Sequence, residues 1–387
     1  MAADVDGARR VAELCGCLPL ALRIAAAQLV ADRSLKPADL AADLEDPAGR
    51  LDVLDDGSRA VRGVVQRSVR RLAPPQEELF RLLTVNSGPD LSLETAAAIS
   101  GVGKAKDVRP RLAALVRASL LRQDPDSGRW SMHDVIRAYA AEQAAHHPVA
   151  TERALRRLLE HYMHFAQDAA VHLNPSADGN ASRFRARARA MAWFDAERAN
   201  LVAAAQAARD GGHLDVAASL PSLVTEYLHA RRLLNGALTV NTVALDATTT
   251  VDHRLGQARA WNNLGGTLDE SRRYEEALDA YQHALDVFRD LGDTHAEARA
   301  WNNLGMALRD RGEFGLAEEA GERSAALFVE VGDGFLRGRA LAELARTLSQ
   351  AGRPEGEVRE VREAAAASLR GVGADGEAEQ VLRGGED

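Results

Sequence analysis

The sequence predicts a mainly all-α protein: a small helical bundle carrying one β-hairpin, followed by an α-solenoid. Three observations carry this reading. Aromatic residues make up only 4% of the 387 residues, while Ala, Leu, Arg and Glu, whose side chains lose little freedom in a helix, recur throughout. The stretch Arg259-Ala260-Trp261-Asn262-Asn263-Leu264-Gly265 returns 40 residues later as Arg299-Ala300-Trp301-Asn302-Asn303-Leu304-Gly305, and repetition at that period marks a stacked helical array. One stretch alone reads as paired strands: Ser119-Leu120-Leu121-Arg122 and Arg129-Trp130-Ser131-Met132 flank the turn residues Asp124-Pro125-Asp126-Ser127-Gly128.

Composition narrows the function classes. A 46% hydrophobic content supports real cores, and the length suits two to four domains. The formal net charge of −9 disfavours a phosphate backbone as partner unless a local basic face overrides it. The N-terminus, with Asp4, Asp6, Arg9 and Arg10, has no signal-peptide apolar region, and no later stretch is long and apolar enough to span a bilayer. A cytoplasmic protein without a membrane partner is expected. Cys15 and Cys17 stand too close together to bridge comfortably and too few to hold a metal, so they read as small core residues.

In chain order, residues 1–57 form a first helical segment. Ala8, Val11, Ala12 and Leu14 share a helical face, Gly16 ends the run, and Pro19 suits the first turn of the next helix because its missing N–H would have had no partner. Residues 58–147 form the second segment. Helices are expected over Val61 to Val69, Gln76 to Leu83, Leu93 to Ile99 and Val108 to Arg117, and with the hairpin behind them they describe a winged helix.

Two motifs here resemble a known family. Cys15-Gly16-Cys17-Leu18-Pro19-Leu20-Ala21-Leu22 resembles the Gly-x-Pro-Leu-Ala-Leu motif of NB-ARC proteins, the signal-transduction ATPases with numerous domains (STAND class), with one extra residue before the proline. Arg129-Trp130-Ser131-Met132-His133-Asp134-Val135-Ile136-Arg137-Ala138-Tyr139-Ala140 resembles their winged-helix Met-His-Asp motif, in the form found in bacterial transcriptional regulators ending in tetratricopeptide repeats. The resemblance implies that residues 1–57 are ARC-like, that Pro19 lies against an adenine, and that His133 contacts the β-phosphate of ADP. Asp134 is expected to cap the helix that follows, since a carboxylate accepts the orphan amide protons there.

The family's phosphate loop has no counterpart. Gly101-Val102-Gly103-Lys104-Ala105 comes nearest, but Ala98 replaces the first glycine and Ala105 the magnesium-binding hydroxyl. The chain is therefore expected to begin where the ATPase core would have ended, to be no enzyme, and to hold no cofactor. ADP or ATP would bind only if another chain supplied the loop. DNA binding through Arg109, Arg111, Arg117 and Arg122 is the first alternative, weakened by Asp107, Asp124 and Asp126 among them. A nucleotide-binding switch working with a loop on another chain is the second.

Residues 148–215 read as a helical connector that begins at Pro148, with Leu155, Leu158, Leu159, Tyr162, Phe165, Ala166 and Ala169 on one face. His161 and His164 have helical ligand spacing without further ligands, which makes them boundary residues. Alternating Arg183, Arg185, Arg187 and Arg189 spread over different faces of a helix. Trp193-Phe194-Asp195-Ala196-Glu197-Arg198-Ala199-Asn200-Leu201 resembles the Trp-x-Asp-x-Glu-x-x-Asn-Leu segment opening the helical half of the same regulators.

Residues 216–387 form the repeats. Trp261, Leu264, Gly265, Leu268, Ala277, Tyr281 and Ala284 occupy the key positions of a tetratricopeptide repeat. The next copy places Gly321 where Tyr281 stands, which predicts looser packing of its second helix. A worn earlier copy aligns Val224, Leu228, Ala237 and Ala244. A later one aligns Leu341, Leu344, Ala345, Leu348 and Ala364, with Glu357 at the small-residue position, and Gly371 to Asp387 are expected to fray. Such arrays bind along the face made by the first helix of each pair. Arg259, Asn262, Asn263, Arg299, Asn302, Asn303 and Arg309 are the expected partner contacts, because an amide both donates to and accepts from an extended peptide. The sequence thus reads as a non-catalytic regulatory or scaffold protein that receives a protein or peptide.

Overall fold

The computed structural model describes residues 4–15, 19–31, 34–45, 61–173 and 183–384. The chain divides into two units: Met1–Asp168 with Ala192–Ala207, and Ala169–Met191 with Ala208–Asp387. The segment 148–215, expected as a connector, is shared between them.

Ten helices run from α1 to α10 among the described residues before the repeats begin. They are α1 Val5–Leu14, α2 Pro19–Ala31, α3 Pro37–Glu45, α4 Val61–Val69, α5 Pro74–Leu82, α6 Leu93–Ser100, α7 Ala105–Arg117, α8 Asp134–Ala145, α9 Pro148–Ala170 and α10 Arg187–Asp210. Proline opens α2, α3, α5 and α9, where its lost donor costs nothing. Asp4 accepts from the amides of Gly7 (2.9 Å) and Ala38 (3.0 Å), so one carboxylate caps α1 and pins α3 beside it. Ser92 caps α6, and Gly101 ends it in the left-handed region. Phe80, Ile99, Val108, Leu112, Trp130 and Val135 are buried in the core of this unit.

The hairpin is present but shorter than its sequence signal. Strands β1, Arg122–Gln123, and β2, Trp130–Ser131, pair antiparallel, with Arg122 opposite Ser131 and Gln123 opposite Trp130. The missing half of the first strand serves another purpose. Ser119 turns left-handed (φ 58°), and the amides of Leu120 and Leu121 both reach back to the Leu115 carbonyl. Those residues terminate α7 by satisfying its last carbonyls. On its other edge Trp130 bridges to Leu91, adding a third short backbone pairing.

The second unit is an all-α solenoid. Helices α11 Leu214–Ala230, α12 Leu234–Thr250, α13 Arg254–Glu270, α14 Tyr274–Leu291, α15 Thr294–Arg311, α16 Phe314–Glu330, α17 Gly334–Gln350, α18 Glu355–Arg370 and α19 Asp375–Leu382 each pack on the next. Successive first helices, α13, α15 and α17, also touch one another. Inside each hairpin one pair of positions decides how closely two helices approach. Gly265 lets the Tyr281 ring lie on the backbone, for a Cβ there would sit 2.8 Å from the ring. In the preceding repeat the same positions hold Thr225 and Asn241, hydrogen-bonded at 3.0 Å. In the following one they hold Gly305 and Gly321, and a Cβ on Gly305 would meet Ala317 O at 3.3 Å.

Two packing expectations are corrected here. Gly321 does not loosen α16: the helices close up, and Leu344 covers the glycine so tightly that a Cβ would stand 3.1 Å from Leu344 Cδ1. In the last pair, Val358 and Ala365 are buried while Glu357 and Ala364 are exposed. The register slips by one residue because Pro354 serves as the N-cap and starts α18 one position late. Nor does 371–384 fray as a whole. Helix α19 forms there, and Ala378 packs into a buried cluster with Ala366 and Leu369.

Candidate functional site

The repeat face is built by the first helix of each pair. Arg259, Arg299 and Arg339 each stand five residues after the start of α13, α15 and α17, and all three are exposed. Asn262, Asn263, Asn302 and Asn303 follow one turn on and are half-buried. Asn303 Nδ2 donates to Asn262 Oδ1 across 3.2 Å, so the two asparagines tie adjacent repeats together. Arg299, Asn302, Asn303, Arg339, Glu343 and Arg346 line a single cavity of about 520 Å³. Arg309, by contrast, is engaged within the fold. Its side chain is 10% exposed and bonds Glu343 (2.8 Å) and Asp310 (3.1 Å). Arg339 was legible in the sequence as the third member of the 40-residue series, whereas the engagement of Arg309 by Glu343 was not.

Around the hairpin the structure separates the motif residues into two groups. His133 and Asp134 are exposed. His133 occupies the N-cap of α8 without a side-chain capping bond, and Asp134 is the first helical residue, one position later than the capping role expected of it. An acid in that first turn is still favoured by the positive helix end. His133 shares an open cavity of about 590 Å³ with Glu13, Ser119, Arg122 and Asp134. One guanidinium and one imidazole there face two carboxylates. Among the described residues no glycine-rich loop adds amides, so this donor set does not by itself fit the phosphates of ADP or ATP. Pro19 opens α2, but its side chain lies outside the described residues.

The rest of the motif is internal. Arg129 forks onto Glu197 (Nη1–Oε1 2.7 Å, Nη2–Oε2 3.0 Å) and reaches Asp90 Oδ1 at 2.8 Å. The Glu197 carboxylate is 3% exposed and also accepts from Asn200 (2.7 Å) and Tyr162 (3.4 Å). Burial alone would lower the Arg129 pKa, but the hydrogen bonds and charges of Glu197 and Asp90 outweigh it and hold it raised. Arg137 donates to the carbonyls of Asn86 and Gly88, and Gly88 must be glycine because a Cβ would fall 1.9 Å from Asn200 Oδ1. Two motifs far apart in the chain thus meet: Arg129 from the hairpin, Glu197 and Asn200 from α10. No signal in either motif alone pairs them.

Among the described residues no His, Cys, Asp and Glu group could hold a metal ion, and no helix is long and apolar enough to cross a membrane.

Comparison with known proteins agrees with the repeat geometry. The tetratricopeptide repeat family matches residues 258–291, which are α13 and α14, and residues 296–369, which are α15 to α18. Residues 258–291 and 296–369 thus carry tetratricopeptide repeats. The chain is also related to regulators: it is 33% identical over 302 residues to Regulatory protein AfsR of Streptomyces griseus, covering 74% of this chain and 30% of the relative. With the Regulatory protein AfsR of Streptomyces coelicolor it shares 39% identity over 169 residues, 42% of this chain and 17% of the other. The chain thus spans less than a third of the length of these relatives. Among solved structures, a STAND protein with a tetratricopeptide repeat sensor from Pyrococcus horikoshii gives a TM-score of 0.37 at 13% identity, covering 94% of this chain and 71% of the other. Rap protein complexed with Competence and Sporulation Factor gives 0.41 at 15%, covering 75% and 80%. At such scores the fold assignment rests on the chain's own repeats.

Proposed function

We propose that this protein is a non-catalytic regulatory component whose repeat array receives a protein or peptide partner along the face of α13, α15 and α17, in the manner of the sensor half of a STAND-type transcriptional regulator. One observation carries the reading: Arg299, Asn302 and Asn303 of one repeat and Arg339, Glu343 and Arg346 of the next converge on one open cavity. Arg299 and Arg339 are exposed there, and the half-buried amides of Asn302 and Asn303 beside them can both donate to and accept from a peptide backbone. Relatedness to regulatory proteins supports the regulatory half of the proposal.

The test is capture of a partner by the full chain, followed by cross-linking to locate the contact. Asn263→Ala combined with Asn303→Ala is expected to abolish capture while shifting the melting temperature little. Capture that survives both substitutions would reject this face as the binding surface.

A further inference from the structure

The arginines of the repeat face fall into two sets. Arg309 is held by Glu343 and Asp310, Arg346 by Glu343, and Arg362 by Glu355. Arg259, Arg299 and Arg339 make no ion pair among the described residues, although each repeat offers carboxylates that other arginines take up. They recur at the same helical position with a strict 40-residue spacing. Three exposed cations recur in register without an ion pair among the described residues, although Glu343 and Glu377 line the same cavity as Arg299 and Arg339, and so offer positive charge to an acidic partner.

We propose that Arg259, Arg299 and Arg339 form a ladder that reads an acidic peptide in polyproline II conformation, with a carboxylate at every third residue. This rests on the proposed function and names the partner's chemistry. Packed first helices lie roughly 8–10 Å apart, which sets the rung spacing. A polyproline II chain rises about 3.1 Å per residue with three residues per turn, so every third side chain returns to one face after about 9 Å. A β-strand advances a similar distance over the same count, but its alternate side chains face opposite ways, so every second rung would be missed. Guanidinium groups pair with carboxylates through two parallel hydrogen bonds, which fixes orientation as well as charge. Asn262, Asn263 and Asn302 lie one turn beyond the rungs, where they match the amides of a peptide rather than the phosphates of a nucleic acid.

Fluorescence anisotropy with the full chain tests this, using synthetic peptides of one composition in two orders: glutamate at every third position, or the same glutamates grouped. The periodic peptide is expected to bind roughly tenfold tighter, and more weakly as salt rises. Arg259→Gln, Arg299→Gln and Arg339→Gln should each weaken it by up to about fivefold, the value of a good exposed ion pair. Arg353→Gln, whose arginine is already paired with Glu318, should change nothing. Circular dichroism melting verifies that the variants fold. Equal binding of the grouped peptide overturns the ladder, as does equally tight binding of a single-stranded DNA oligonucleotide that is lost in the same variants. If the periodic peptide fails to bind while partner capture still depends on Asn263 and Asn303, the ladder is wrong and the binding face stands. If capture is also insensitive to those asparagines, the proposed function itself falls.

Discussion

At the scale of single residues, the pairing of Arg129 with Glu197 carries the largest energetic stake. Removing one partner of a buried ion pair strands the other charge, which costs about 3–5 kcal/mol. Arg129→Met is therefore expected to lower the urea midpoint of the first unit strongly, whereas Arg129→Met with Glu197→Leu should recover much of the loss. Equal losses in the single and double variants would show that the carboxylate is not stranded. Asp269 makes the opposite case. Its Oδ1 is buried without a hydrogen-bond partner, and burial, then Asp310 and Glu270 against the opposing Arg309, push its pKa up to about 6. The folded state holds the proton more tightly than the unfolded chain, where an aspartate titrates near 3.8. This contribution to stability is therefore complete below about pH 4 and is lost as pH rises through 6. Asp269→Asn should stabilise the protein at pH 7.5 by about 1 kcal/mol after allowance for solvent screening, read as a raised melting temperature, and the gain should vanish near pH 4. A pH-independent gain would point to packing rather than charge.

At the scale of the element, the turns of the solenoid follow a rule of their own. Left-handed residues fall at Gly212, Arg232, Asp252, Arg272, Gly292, Gly312, Gly332 and Gly352, one every 20 residues, and then at Gly373, one residue late after the slip at Pro354. Glycine enters that region freely, whereas for a residue with a Cβ it costs about 1 kcal/mol or more. The three exposed non-glycine turns are thus avoidable strain. Arg272→Gly is expected to stabilise the protein by about 0.5 kcal/mol once the greater freedom of glycine in the unfolded chain is subtracted. A lower melting temperature would mean that the arginine side chain contributes more than its backbone costs. The same ladder shows how closely sequence and structure agree locally. The helix expected to start at Pro19 does so, the one expected from Gln76 starts two residues earlier at Pro74, and the 40-residue period survives as two 20-residue turns. The hairpin was visible but overlong, because a strand pattern cannot reveal that Ser119 to Leu121 are used in closing α7.

At the scale of the whole molecule, two units with separate cores imply two unfolding events. Arg129→Met should shift one transition in differential scanning calorimetry and Gly265→Leu, which drives a side chain into the Tyr281 ring, the other. Both variants moving one shared transition would contradict independent cores.

The sequence by itself determined the all-α class, the place of the hairpin and the repeat period. These are written locally, in periodicity and in turn chemistry, and local patterns survive translation into structure. Only the tertiary structure decided which charges are engaged and which remain available. It joined Arg129 to Glu197, it turned Arg309 inward onto Glu343 while Arg299 stayed exposed, and it filled the space beside Gly321 with Leu344. The physical reason is the same in each case: a charge or a void is settled by whatever the fold brings within a few ångströms, and residues 34 or 68 positions apart carry no mark of that meeting in the order of the chain.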